Sequence, residues 1–306
     1  MTENQADTTV VVPVYNQPEL LAEALESIKT QTYDAFEIIV VDDNSTADMK
    51  AVTDEYSDVR FISHDDNQGA GAARNTGIKA ATGDYVAFLD ADDTWKPTKL
   101  EKQHRVFLES NQEIGLVYTG FVQYETDGNK WTHKPEAAGD IYLDELERDR
   151  IHPTSTVMVR RDVLDEVGGF DASLPSRQDY DLWIRITEQY KVGYVDETLV
   201  EKREQEGSIS KNFDSRIEGD LRVFEKVTDR ASALDFSSRS RILSYHHHVI
   251  GRDYDSNSNR PQALKHLSLA ILRYPFRPIS YVMFIIALLG IDRNGRLLSF
   301  LKRFVR

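Results

Sequence analysis

The chain has 306 residues, enough for one large domain or two modest ones around an ample core. It has no cysteine, which excludes disulfides and thiolate metal sites and fits a reducing compartment. Its net charge of −14 argues against general nucleic-acid binding, which needs a basic face.

The charge is uneven. Residues 260–306 hold nine Lys/Arg against a single acid, Asp292, a local +8, so the remaining 259 residues carry −22. Arginine outnumbers lysine 23 to 14, which suits either a protein kept hydrated in high salt or an ordinary acidic enzyme.

The opening, MTENQADTTVVVPVYN, has neither a basic start nor an apolar run of signal-peptide length and reads as a cytosolic start. TVVVPVY is a β-branched run and predicts a strand. Pro18 then opens an amphipathic helix with Leu20, Leu21, Ala24, Leu25 and Ile28 on one face. FEIIVV (Phe36 to Val41) predicts a second strand, after which Ser45 or Thr46 is placed to cap a helix running through Tyr56. VRFIS is a third strand, Gly69 to Ala81 a helix of small residues, and DYVAFLD a fourth strand. Such continuous apolar strands, alternating with helices, predict an α/β fold with a parallel sheet covered on both faces. Ligands gather at the carboxyl ends of strands in such sheets, where Asn16, Asp42, Asp43, His64, Asp65, Asp90 and Asp92 fall.

Further on, the pattern predicts a helix from Pro97 to Ser110, a strand over GLVYTGFVQYE and a polar hairpin around Asp127 to Asn129. A strand from Thr154 to Arg161 follows, then a helix over RQDYDLWIRITEQY with Leu182, Ile184 and Ile186 as apolar positions. From Arg216 onward the pattern is helical, giving an α/β body with a helical C-terminal appendage.

The chemistry concentrates in FLDADDTWKP. Asp90 and Asp92, two apart at a strand end, project to one side and can share a hard cation such as Mg²⁺ or Mn²⁺. The competing structural reading makes Asp93 or Thr94 the cap of the helix near Pro97, with the other carboxylates solvated. DADDT also matches the D-x-D-x-T of haloacid-dehalogenase-like phosphatases. There the motif follows the first strand and here the fourth, with no later Lys and acidic pair to complete that site.

VVVPVYNQPELLAEALESIKTQTYDAFEIIVVDDNSTADMK carries P-x-YN, an S-x-x-x-Q-T turn and V-V-D-D-x-S, and NQGAGAARNTGIKAATGDYVAFLDADD follows as a second block. In this order and spacing, over about residues 8–210, the chain resembles the family 2 glycosyltransferases of GT-A fold. The resemblance implies a GT-A α/β/α sandwich with a mixed, mostly parallel sheet over residues 1–215. Within it, 8–95 would form the nucleotide-sugar half and 96–215 the acceptor half, with 216–306 as the helical region. Pro13 and Tyr15 would line the nucleotide base, with Asn16 in the same donor-binding set, and Asp43 would accept a hydrogen bond from a uracil ring. Gly71 and Arg74, with Gly69, would lie where backbone approaches the nucleotide. Asp90 would face the ribose, Asp92 the Mn²⁺ or Mg²⁺ on the diphosphate, and Arg203 would belong to a donor-side loop.

RQDYDLW matches the family's E-D motif and places the base at Asp179, with Asp181 as its neighbour and competitor. Thr154 to Thr156 and Gly168 to Phe170 would help form the acceptor wall. The implied reaction is inverting transfer from a nucleotide sugar, UDP-linked, to an acceptor hydroxyl. Two positions depart from the pattern: Gln178 stands where Glu usually precedes the base, and Gln205 where a His commonly follows the Arg.

Val282 to Ile291 is ten apolar residues, too short to span a bilayer. Arg273 and Arg277 precede it; Arg293, Arg296, Lys302 and Arg303 follow, interleaved with Leu297, Leu298, Phe300, Leu301, Phe304 and Val305. That composition suits a helix lying in a membrane interface; the alternative is a helical hairpin packed on the acidic body. The interfacial reading places the protein peripherally on the cytoplasmic face of the membrane, with a polyprenyl- or dolichyl-phosphate-linked glycan as acceptor. A polyprenyl-phosphate sugar synthase and a non-catalytic nucleotide-sugar-binding relative are the alternative functions. His246, His247 and His248 are consecutive, and on a helix they point about 100° apart and cannot converge on one ion.

Overall fold

The computed structural model describes residues 6–110, 113–126, 128–203 and 212–290. They divide into an α/β unit, drawn from residues 1–145, 149–173 and 178–208, and a helical unit from 146–148, 174–177 and 209–306.

The first half of the α/β unit alternates β1 (Thr8–Val14), α1 (Pro18–Lys29), β2 (Phe36–Asp42), α2 (Met49–Thr53), β3 (Val59–Ser63), α3 (Ala70–Ala80) and β4 (Tyr85–Phe88). β1 pairs in parallel with β2 on one side and β4 on the other, and β2 with β3. The run of valines in β1 reads out the two-residue period of a strand. Val10, Val12 and Val14 enter one core with Leu21 and Leu25 of α1, while Val11 enters the other with Ile78 and Phe88. Each fully buried side chain of this kind contributes about 1.5–3 kcal/mol. α3 lies close on β1 because Gly77 has no side chain; a Cβ there would overlap Val11.

The second half adds β5 (Asp93–Trp95), α4 (Lys99–Glu109), β6 (Ile114–Tyr124), β7 (Lys130–His133) and α5 (Tyr142–Glu147). A 3-10 turn at Thr154–Thr156, β8 (Met158–Arg160), α6 (Arg161–Val167), α7 (Gln178–Thr187) and β9 (Lys191–Arg203) complete it. The sheet runs β3-β2-β1-β4-β8-β6-β9-β5, with β7 paired to β6. β8 is antiparallel to β4 and β6, and β9 is parallel to β6, so β4, β6 and β9 all end on the same side.

The helical unit comprises α8 (Phe213–Ala231), α9 (Phe236–Ser256), α10 (Arg260–Arg273) and α11 (Pro278–Leu289). Ala263 and Leu267 of α10 pack against Met283, Ile286 and Ala287 of α11. The tail positions Arg293, Arg296, Leu297, Leu298, Phe300, Leu301, Lys302, Arg303, Phe304 and Val305, and Gln205 and Asp127, lie outside the described residues.

Three expectations from the sequence need correction. Ser45 and Thr46 do not cap a helix: α2 is short and is capped by Asp48, whose side chain accepts from Ala51 N at 3.0 Å. Asp93 and Thr94 do not cap α4 either, since both lie in β5, and Thr98 takes the N-cap position without a side-chain bond. The segment from Thr154 to Arg161 is a turn and a three-residue strand, and Arg161 already begins α6. Charged and small residues interrupt the apolar pattern of β9, KVGYVDETLVEKR, and its pairing with β6 shifts register around Gly120. Irregular pairing of this kind leaves no clean period in the sequence.

Candidate active site

The loops after β1, β2 and β3 are tied together by side chains that read as ligand-binding candidates in the sequence. Asn16 has φ 54°, a left-handed conformation that Asn tolerates. Its N–H donates to Ser45 Oγ at 2.8 Å, and its Oδ1 accepts from Thr46 N at 2.8 Å and Ala47 N at 3.2 Å. This is why Ser45 and Thr46 are unavailable as caps. Pro13 is buried within β1, in register with Val41, and Tyr15 beyond it is half-exposed.

Asp42 and Asp43 are both buried and differently employed. Asp42 Oδ1 accepts from Ser45 N at 3.1 Å, and its Oδ2 from Ser63 Oγ at 3.3 Å. Asp43 Oδ1 accepts from Gln68 N at 2.9 Å and faces His64 Nδ1 at 2.8 Å, while Oδ2 accepts from Gly69 N at 2.7 Å. Asp43 therefore shapes the loop that leads into α3. Gly69, at φ 88°, supplies the left-handed turn that aims its N–H at this carboxylate. A Cβ on Gly71 would stand 3.0–3.2 Å from the amide group of Gln178, so the missing side chain makes room for Gln178.

At the end of β4 the acidic residues meet two cations. One carboxylate oxygen from each of Asp90, Asp92 and Asp93 lies within 4.8 Å of the others. Arg74, buried on α3, donates to Asp90 Oδ1 at 2.5 Å, and its guanidinium stands 5.4 Å from the Phe170 ring centre. Burial opposes its charge, but Asp90, reinforced by Asp179 and Asp92, raises its pKa above the usual arginine value. Burial likewise opposes ionisation of Asp90, yet Arg74 and then Lys202 hold its carboxyl below the usual range. Asp92 is pushed up by burial and by the neighbouring Asp90. Asp93 is almost completely buried and is pushed up to about 7, mainly by desolvation. Its Oδ2 accepts from Ser155 Oγ at 2.6 Å.

Asp179 opens α7, half-buried, with Oδ1 accepting from Tyr180 N at 2.9 Å and Thr154 Oγ1 reaching Oδ2 at 3.4 Å. Asp181 is buried and paired with Arg185 at 2.9 Å, and Arg185 also donates to the carbonyls of Val167 and Gly169. It serves the packing of α6 against α7. Gly168 to Phe170 is tied to α3 by Asn75, whose amide group bonds the backbone of Phe170 in both directions at 2.8 Å. Arg203, at the end of β9, is ion-paired to Glu23 of α1.

The structure therefore brings together Arg74, Asp90, Asp92, Asp93 and the field of Asp179, and it adds Lys202, which no motif in the sequence marks. The only hint is its place beside Arg203. The register also aligns Asp93, Lys202, Gln123 and Trp131 in one row across β5, β9, β6 and β7.

Residues 9–168, just over half of the chain, match the profile of the family described as Glycosyl transferase family 2. The chain belongs to that family. As a family 2 member it is 31% identical over 203 residues to an uncharacterized glycosyltransferase of Rickettsia felis, covering 64% of this chain and 34% of the relative. It thus spans about a third of that relative's length. TuaG of Bacillus subtilis, a glycosyltransferase assigned to teichuronic acid biosynthesis, is 31% identical over 220 residues, covering 69% of this chain and 84% of TuaG. S. aureus TarS 1–349 in complex with UDP-GlcNAc is similar at a TM-score of 0.69 and 18% identity, covering 92% of this chain and 89% of that one. The mannosyltransferase PcManGT from Pyrobaculum calidifontis, in complex with GDP-Man and Mn²⁺, gives 0.61 and 18%, covering 98% and 85%. These structural likenesses show the shared fold, a GT-A type α/β sandwich followed by helices.

Proposed function

We propose that the protein is an inverting glycosyltransferase that moves a sugar from a nucleotide sugar, UDP-linked, onto an acceptor hydroxyl. The observation that carries this reading is the meeting of Asp90, Asp92 and Asp93 at one strand end, within the electrostatic reach of Arg74 and Asp179. The donor set fits a divalent ion. It offers hard anionic oxygens, and the buried Oδ1 of Asp93 has no hydrogen-bond partner among the described residues. Asp92, with Asp90 and Asp93 beside it, would hold Mn²⁺ or Mg²⁺. Such an ion, when bound, supplies charge compensation for a departing nucleoside diphosphate.

The chain's own groups have separate tasks. Asp43 Oδ2 accepts one bond, from Gly69, and keeps acceptor capacity for a uracil N–H. Pro13 near the end of β1 and Tyr15 and Asn16 in the loop after it would contact the donor, with Gly71 and Arg74 in the first half of α3 and Arg203 at the end of β9. Asp179, oriented by Tyr180 N and Thr154, takes the proton of the acceptor hydroxyl.

The acceptor in this reading is a lipid-linked glycan at the cytoplasmic face of a membrane. Tyr281, Ile285, Leu288 and Leu289, spaced along one stripe of α11, are exposed, as are Leu272 and Phe276 before it. With the basic C-terminal composition, this stripe supports interfacial binding. Arg277 is not part of a basic rim, because it pairs with Glu147 at 2.7 Å and covers the Tyr245 ring. Among the described residues no helix is long and apolar enough to cross a membrane.

Calorimetry of UDP with and without Mn²⁺ tests the donor site. Asp92→Ala should keep its melting temperature and lose the Mn²⁺-dependent part of UDP binding. Unchanged metal dependence would return Asp92 to a merely solvated acid. Mn²⁺-stimulated hydrolysis of a UDP-sugar by the wild type would separate a catalyst from a binder.

A further inference from the structure

We propose that Lys202 is a built-in counter-cation of the acidic cluster, which weakens binding of the metal alone and favours its arrival with the nucleotide diphosphate. The proposal rests on the donor-site reading above. Lys202 stands directly across from Asp93 in the antiparallel pairing of β9 with β5. Its ammonium lies 3.9 Å from Asp93 Oδ1, and its side chain is two-thirds withdrawn from solvent. Its charge is felt by Asp90, Asp92 and Asp179 as well as Asp93. The other cation of the site, Arg74, is already bonded to Asp90.

The separation is informative. At 3.9 Å the ammonium is too far to hydrogen-bond, and Asp93 Oδ1 accepts no hydrogen bond among the described residues. Lys202 thus compensates the charge of the cluster through space while leaving that oxygen's lone pairs open. A hydrogen-bonded lysine would have taken a ligand position; this one leaves it free.

Compensation has a consequence for metal binding. A divalent ion entering the carboxylates meets a fixed positive charge. Repulsion between +1 and +2 roughly 6 Å apart, at effective dielectrics of about 40–80, lowers affinity on the order of ten- to a hundredfold. A diphosphate brings negative charge that attracts both cations and relieves that penalty. Lys202 acts here as a positioning residue: it works through the carboxylates and the charge balance.

The test measures free Mn²⁺ by electron paramagnetic resonance against the whole chain, first alone and then with UDP. Lys202→Met should bind Mn²⁺ alone at least about tenfold more tightly than wild type. It should also bind UDP without metal more weakly, while Lys202→Arg keeps both values near wild type. A purely structural lysine would predict unchanged or weaker Mn²⁺ binding, and either result overturns the proposal. Should Lys202→Met fail to fold, Lys202→Gln carries the same neutral charge and the same readout. If even the wild type binds no Mn²⁺ in the presence of UDP, the metal reading itself falls and this proposal with it. Normal wild-type binding with an unmoved variant sinks the lysine alone.

Discussion

Buried polar groups at the strand ends of the α/β unit meet ion-pair or backbone partners, whereas the four histidines buried in the helical unit meet a carbonyl, a hydroxyl or one another. Arg74 with Asp90, and Arg185 with Asp181, offset the cost of burial by bonded ion pairs. Asp43 does the same with backbone N–H groups. In the helical unit, His246 faces the carbonyl of Leu146 at 3.0 Å, His247 faces His266 at 3.2 Å, and His248 faces Ser280 at 3.1 Å. Burial lowers His246 to about 4 and His247 to about 3. The three consecutive histidines thus turn to three different partners and serve packing. Cationic side chains and backbone N–H groups thus meet the acids at the strand ends, while uncharged groups meet His246 and His248 between the helices. Ion pairs such as Arg177–Asp220 do occur in the helical unit.

The sharpest break in this contrast is Asp179→Asn, which keeps size and removes the proton acceptor. Turnover should fall by about 10²–10⁴-fold while the affinity for UDP with Mn²⁺ stays near wild type, as read from kcat and from calorimetry. Activity within a few-fold of wild type would move the base elsewhere.

Gly77→Ala tests the scaffold beneath the charges. Its Cβ would overlap Val11, so α3 and the Arg74 it carries must shift away from β1. A loss of about 1–3 kcal/mol in urea denaturation is expected. No loss would mean that α3 sits less tightly than its glycine implies.

Acid addresses the histidines. A ring whose folded pKa is depressed contributes its full stability above the unfolded value near 6.5 and loses it as pH falls toward the folded value. For His246 that window runs from about 6.5 down to about 4. Stability should drop by about 1.4 kcal/mol per pH unit for each such ring. His246→Gln, still able to donate to Leu146, should flatten the slope between pH 6.5 and 4; an unchanged slope would assign the acid sensitivity to other groups.

The smallest effect on folding belongs to the α11 stripe. Leu288→Ser together with Ile285→Ser should change stability by less than about 0.5 kcal/mol, because both side chains are exposed. Flotation with anionic vesicles should nevertheless weaken by about tenfold or more. Equal flotation would leave the stripe without a role at membranes.

Much of the α/β unit was legible in the sequence because its strands are continuous apolar runs. β1, β2, β3 and β4 fall where the valine- and isoleucine-rich stretches predict, and α1 buries Leu21, Ala24, Leu25 and Ile28 as its period requires. Asp90 and Asp92 could be singled out from their spacing at a strand end, and Asp179 only through the resemblance to the family's motif. Their relation to Arg74 and Lys202 could not.

The sequence by itself determined which segments alternate, which strand ends carry acids, and that the C-terminal region is helical and basic, because these follow from local periods and composition. Only the tertiary structure decided what Asp93 does. β5 is three residues long and pairs with β9, which the chain supplies more than a hundred residues later. That pairing buries the Asp93 carboxyl, brings Ser155 to one oxygen and sets Lys202 opposite the other. Electrostatic compensation depends on distance in space, and no local pattern records which distant cation will stand beside a given carboxylate.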